Sequence, residues 1–202
     1  MRKRTKINPN RRQWLTLLIS SFFFLSWMPS ALAEKPETVT MKVDAQKSKI
    51  TWRGTKVTGK SNHGHILPAS STVTLVAGEI SEAQIVFDMK SLTVINLEGK
   101  LGKKFLGHLQ SEDFFEVEKY PTATWKLDST KGGVAQGTLT VKGKSHPIAI
   151  PFQKKGETYV GKVTFDRTKY GIVYRSGNFF KDLGDKMIKD DVEIGFELVL
   201  VQ

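Results

Sequence analysis

Cysteine is absent from the 202 residues. That excludes disulfides, thiolate nucleophiles, Cys-ligated zinc, iron–sulfur clusters, c-type haem attachment and a lipid-modified cysteine anchor. A chain without disulfides must be stabilised by its own apolar core, and about 170 residues suffice to build one. Acidic residues are missing from Met1 to Ala33, while Arg2, Lys3, Arg4, Lys6, Arg11 and Arg12 all fall there. Without those six, Lys+Arg drops from 31 to 25 against 20 Asp+Glu, so the formal charge falls from +11 to +5. The basic character of the whole chain therefore gives no argument for a polyanion partner, and nucleic-acid binding is set aside. Internal repeats, low-complexity tracts and an interdomain linker are also lacking.

What the first residues do contain is a three-part secretory pattern. The basic MRKRTKINPNRRQ leads into apolar WLTLLISSFFFLSW and then MPSALA. Ala31-Leu32-Ala33 fits the small-residue rule for cleavage, so residues 1–33 are expected to be a cleaved signal peptide and 34–202 the mature domain. The apolar run is shorter than the roughly 20 residues of a spanning helix. Asn10-Arg11-Arg12-Gln13-Trp14-Leu15 resembles a twin-arginine motif, but it reads more simply as part of the charged n-region. The expected location is periplasmic, or otherwise exported.

From Val39 onward, alternating apolar residues recur in short runs, as half-buried strands require. Ile50 and Trp52 share a face, as do Val73 and Leu75, and Ala83, Ile85, Phe87 and Met89. Ala123, Trp125 and Leu127 repeat the pattern, followed by Leu139 and Val141, then Ile148, Ile150 and Phe152. The last run aligns Val192, Ile194, Phe196, Leu198 and Leu200. Turns are expected at Val76-Ala77-Gly78, Lys131-Gly132-Gly133, Lys142-Gly143-Lys144 and Lys154-Lys155-Gly156. Leu97, Leu101, Phe105 and Leu109 step by four, which predicts one amphipathic helix over 97–110. The fold class expected is all-β: an antiparallel eight-stranded β-barrel with one short helix. Closure leaves no edge strand exposed, and eight strands enclose either a packed core or one ligand.

Three stretches together resemble the YceI-like family of polyisoprenoid-binding proteins. They are Gly107-His108-Leu109-Gln110-Ser111-Glu112-Asp113-Phe114-Phe115 running into Glu118-Lys119-Tyr120-Pro121-Thr122-Ala123-Thr124-Trp125, then Gly137-Thr138-Leu139-Thr140-Val141-Lys142-Gly143-Lys144-Ser145-His146-Pro147-Ile148, and Phe165-Asp166-Arg167-Thr168-Lys169-Tyr170-Gly171-Ile172. Their order and spacing match from about Val43 to Leu200. The resemblance implies a lipocalin-like barrel around the tail of an isoprenoid lipid, of quinone or polyprenyl phosphate type. It implies a binding protein rather than an enzyme, without covalent cofactor, and a homodimer as the common assembly. The sequence departs from the family's usual aromatic-rich turn at Asn62-His63-Gly64-His65.

Candidate apolar lining residues are Trp52, Phe87, Met89, Leu92, Phe105, Leu109, Phe114, Phe115, Trp125 and Phe165. Aromatic rings give rigid walls and methionine an adaptable filler. Arg167 and His108 are the head-group candidates, since guanidinium suits phosphate and imidazole can bond a quinone oxygen. The competing roles are an ion pair for Arg167 and a helix brace for His108. His63 and His65 would share a face if on a strand, but a zinc site needs a third ligand, and a Gly-containing turn with two solvated histidines is the simpler reading. No metal site is expected. Ser145-His146 lacks a partner acid, and no nucleophile elbow precedes a helix. Lys100, Lys103 and Lys104 suit either a wet helix face or transient contact with anionic lipid headgroups. The alternatives are a stress-related periplasmic barrel filled by its own side chains, and a metal-dependent enzyme using His63 and His65.

Overall fold

The computed structural model describes residues 35–202; the expected signal peptide and its cleavage point lie outside them. Ten strand segments and one helix follow in order: β1 (Thr38–Val43), β2 (Lys49–Lys56), β3 (Ser61–Pro68), β4 (Thr72–Val76), β5 (Glu79–Asp88), α1 (Gly99–Gln110), β6 (Thr122–Lys131), β7 (Val134–Val141), β8 (Lys144–Lys155), β9 (Thr158–Asp166) and β10 (Ile188–Val201). Three hairpins turn through two residues that both have positive φ: Ala77-Gly78, Gly132-Gly133 and Lys142-Gly143. That is the backbone of a type I′ turn, whose twist matches the strands it joins and which favours glycine at the second position.

Every strand pairing is antiparallel, and the sheet closes on itself. Ten segments make eight positions around the barrel, because two positions are each shared by a pair of short strands. Toward one end β10 pairs with β2, as in Ile194↔Trp52, and β3 reaches β5 through Leu67↔Asp88. Toward the other end β10 pairs with β1 through Leu200↔Val43, and β4 pairs with β5 through Val73↔Ala83. The expected eight-stranded barrel is the one observed, with one wall built from β1 and β2 in succession and the next from β3 and β4.

The inward faces are those the alternation marks. Ile50, Trp52, Val73, Ile85, Ala123, Trp125, Leu127, Val141 and Leu200 are all buried. The region Asn62–His65, expected as a turn, lies instead within β3. Gly64 permits this: a Cβ there would fall 1.8 Å from the carbonyl oxygen of Thr93. The chain after β5 lies against this part of β3, with Thr93 N–H donating to His65 O at 3.0 Å and Ile95 N–H to His63 O at 3.1 Å. It thereby covers an edge that β5 leaves unpaired. The helix begins at Gly99, two residues later than expected, because Gly99 sits at φ +57° and interrupts the helical path after Leu97.

Candidate functional site

The apolar strand faces do not meet at the barrel axis. They border a cavity of about 850 Å³ lined from β2, β3, β5, β6, β7, β9, β10, α1 and the segment leading into the helix. Beyond it, toward β1 and β4, lies a second cavity of about 120 Å³ lined almost entirely by apolar side chains. Ile50, Phe87, Leu139, Phe165 and Ile194 belong to both linings, so they form the waist between a wide outer lobe and a narrow inner one. Phe105, Phe115, Phe165, Phe196 and Leu198 pack on the core yet remain only partly buried. Inward-facing side chains of that size are normally sealed by neighbours. Here their free faces border the cavity.

The structure brings the ten candidate lining residues together. Trp52, Phe87, Met89, Leu92, Phe105, Leu109, Phe114, Phe115 and Phe165 line the outer lobe, and Trp125 lines the inner one. Met89 does so from a short 3-10 turn, Met89–Ser91, capped by the carboxylate of Asp88, rather than from the strand itself. Among residues not singled out from the sequence, Ile66, Ile188 and Tyr174 line the outer lobe, while Ile80, Tyr159 and Val163 line the inner. Ile66 lies on the strand read as a turn. Tyr159 and Val163 belong to β9, whose period of two places them on the same face as Phe165.

The two head-group candidates are both at the outer lobe and both tied into the frame. Arg167 is 2% exposed. It donates to Ile172 O at 2.7 Å, Lys189 O and Ile188 O at 3.1 Å, and Asp190 Oδ1 at 3.2 Å. Four of its five N–H groups are thus committed within the protein. Burial lowers its pKa, and the charges of Asp190 and Asp166 oppose that shift. His108 bonds Asp113 Oδ2 through Nε2 at 2.8 Å. Its ring stands edge-on to Phe114 and Tyr174, with centroids 5.0 and 4.6 Å away.

The other sequence candidates scatter. His63 and His65 are neighbours on the face of β3 opposite Gly64 and Ile66, away from the cavity. Among the described residues no three His, Asp or Glu side chains are grouped to hold a metal ion. Ser145 bonds Thr140 Oγ1 at 2.8 Å, whereas His146 Nε2 meets Lys169 O at 3.0 Å, so the two do not act on one another. His146 also stands edge-on to Tyr170, which stands edge-on to Phe165. The motif residues around positions 145 and 170 are therefore the brace that joins β8 to β9 where those strands diverge. Of the helix lysines, Lys104 lines the outer lobe; Lys100 and Lys103 are exposed.

The YceI-like domain model matches residues 41–200. The UPF0312 protein plu2095 of Photorhabdus laumondii is 32% identical over 100 residues, covering 45% of this chain and 50% of the relative. The match thus spans half of that protein's length. Among solved structures, BcnA of Burkholderia cenocepacia superposes with a TM-score of 0.58 at 23% identity, over 79% of this chain and 99% of that one. A polyisoprenoid binding domain from Saccharophagus degradans gives 0.55 at 16% identity, over 79% and 97%. At those identities the likeness is one of fold.

Proposed function

The chain belongs to the YceI-like family, and from that premise we propose that it is an exported protein that carries or sequesters one isoprenoid-tailed lipid within its barrel. The observation that carries this reading is the pair of adjoining apolar cavities, about 850 Å³ and about 120 Å³, whose linings share Ile50, Phe87, Leu139, Phe165 and Ile194. Its outer lobe falls in the range of sites that enclose most of a small ligand. Transfer of a lipid tail out of water contributes about 25 cal/mol per Å² of apolar surface, which needs no directional partner from the wall. A barrel filled by its own side chains would leave no such volume. The name of the Saccharophagus degradans neighbour supports the isoprenoid class. The signal pattern ending at Ala33 supports export and a periplasmic location.

The helix lysines extend the reading to the membrane surface, where such a lipid would be collected or delivered. Lys100 and Lys103 are exposed beside Leu101, which is 62% exposed at the cavity rim. Neutralising Lys100 and Lys103 is expected to weaken association with anionic vesicles; unchanged association would contradict that contact.

Tryptophan fluorescence tests the main reading directly. Of the four tryptophans, only Trp52 and Trp125 fall within residues 34–202, and they line the outer and inner lobes respectively. Titration of the protein beginning at Glu34 with a long-tailed isoprenoid quinone should quench both saturably. A short-tailed one should quench Trp52 more than Trp125, resolved with Trp52→Phe and Trp125→Phe variants. Absence of saturable quenching with either would remove the lipid-carrier reading.

A further inference from the structure

The outer lobe carries five basic side chains and no carboxylate in its lining. One of them, Arg167, is consumed by internal bonds. Lys56, Lys60, Lys104 and Arg175 are not: among the described residues none makes an ion pair. We propose that these four form an anion site at the cavity mouth which takes the phosphate-type head of the tailed ligand in preference to an uncharged quinone or alcohol head.

The contacts place them around one opening. Lys56 N–H donates to Lys60 O at 2.8 Å, which closes the β2–β3 turn and sets the two lysines opposite each other. Lys56 is the register partner of Ile188, and Ile188 N–H donates to Arg175 O at 2.9 Å. The Arg175 guanidinium lies over the Tyr174 ring at 5.1 Å, and Tyr174 packs on His108 of α1. Lys104 lies one turn before His108 on the same face of that helix.

Two features of this ring are unfavourable for the protein alone. Like charges directly opposite on a hairpin repel. Arg175 holds a φ of +51°, a left-handed conformation that costs any residue with a side chain. The repulsion is relieved when an anion sits between the cations, because phosphate offers several acceptor oxygens to such donors. Strain held at a ligand clamp is a recurrent device of binding sites.

This inference rests on the lipid-carrier reading, and its test separates the two. The full processed protein is titrated at low salt with a polyprenyl phosphate and with the polyprenyl alcohol of the same tail. The phosphate should bind about tenfold more tightly, and the gap should narrow as salt screens it. Lys56→Gln, Lys60→Gln, Lys104→Gln and Arg175→Gln together should erase the gap between phosphate and alcohol, with an unchanged far-UV circular dichroism spectrum and cooperative thermal unfolding showing that the variant is folded. Equal affinity for the two lipids, or a gap that survives the four changes, overturns the anion site and leaves lipid carriage standing. Saturable binding of inorganic phosphate alone would reassign the site to a free anion and overturn the head-group role. Failure of both lipids to bind removes the carrier reading, and this proposal with it.

Discussion

Arg167 shows how a single buried charge can serve the frame around a cavity it touches. Its guanidinium ties the turn after β9 to the start of β10, and Asp190 is bonded in turn by Ser176 Oγ at 2.9 Å and Asn178 Nδ2 at 2.7 Å. Removing one partner of such a network strands the other. Arg167→Met is expected to cost about 3–5 kcal/mol in urea denaturation, and a loss below about 1 kcal/mol would mean the network is not structural. Asp166 gives a pH prediction. Burial pushes its pKa up, but the Thr168 hydroxyl at 2.6 Å and N–H at 2.8 Å more than offset this, and the net direction is down. A carboxyl depressed in the folded state stabilises above its unfolded pKa and loses that contribution as pH falls through the folded one. Between about pH 5 and about pH 3, the stability of the unaltered protein should therefore fall more steeply than that of Asp166→Asn; parallel curves would contradict the assignment. The roles of His108 and Arg167 illustrate what residue type alone leaves open. Imidazole and guanidinium suit a ligand head, yet whether they face one or face Asp113 and Asp190 depends on partners distant in sequence.

The helix tests packing against propensity. Gly102 and Gly107 both lie inside α1, where alanine ordinarily gains about 1 kcal/mol over glycine. A Cβ at Gly107 meets nothing within 4 Å, whereas one at Gly102 would fall 2.4 Å from the carbonyl oxygen of Leu97. Gly107→Ala should raise stability by about 0.5–1 kcal/mol and Gly102→Ala should lower it, with opposite shifts in thermal midpoint; shifts of the same sign would contradict this helix placement. The strand-level reading from sequence succeeds where alternation is uninterrupted, as along β10, and where glycine follows a residue able to take a positive φ. It fails at β3, since Gly64 and two histidines look like a turn until Thr93 is seen to need the space a Cβ would fill. Likewise, Lys56 and Lys60 are unremarkable in sequence, because their place at the cavity depends on residues distant in the chain, such as Ile188, the register partner of Lys56, and Lys104 of α1 in the same lining.

At the scale of the molecule, the doubled walls explain why a barrel with ten strand segments still has the circumference of eight strands. Trp52 of β2 and Ile66 of β3 line the wide lobe, and Val73 of β4 lines the narrow one. In the proposed carrier role, the side chains shared by the two linings would set how a tail is accommodated. Ala135 is 5% exposed and lines the inner lobe. Ala135→Leu should fill that lobe and weaken binding of a long-tailed isoprenoid by about tenfold, while a short-tailed one binds as before. Equal loss for both lengths would mean that the lobes do not act in series. The sequence pattern reaches the barrel and most of its lining, since alternation reports which residues face inward. It does not reach the volume they leave, which depends on how far opposite walls stand apart.

The proposed carrier role rests on that volume holding a lipid. Native mass spectrometry of the protein recovered from its host, followed by organic extraction, measures both the cavity's occupancy and its occupant. A one-to-one complex that releases a prenyl-tailed lipid is the predicted result. Protein that emerges at its own mass, and that stays so after incubation with long-tailed quinones and polyprenyl phosphates, would contradict it.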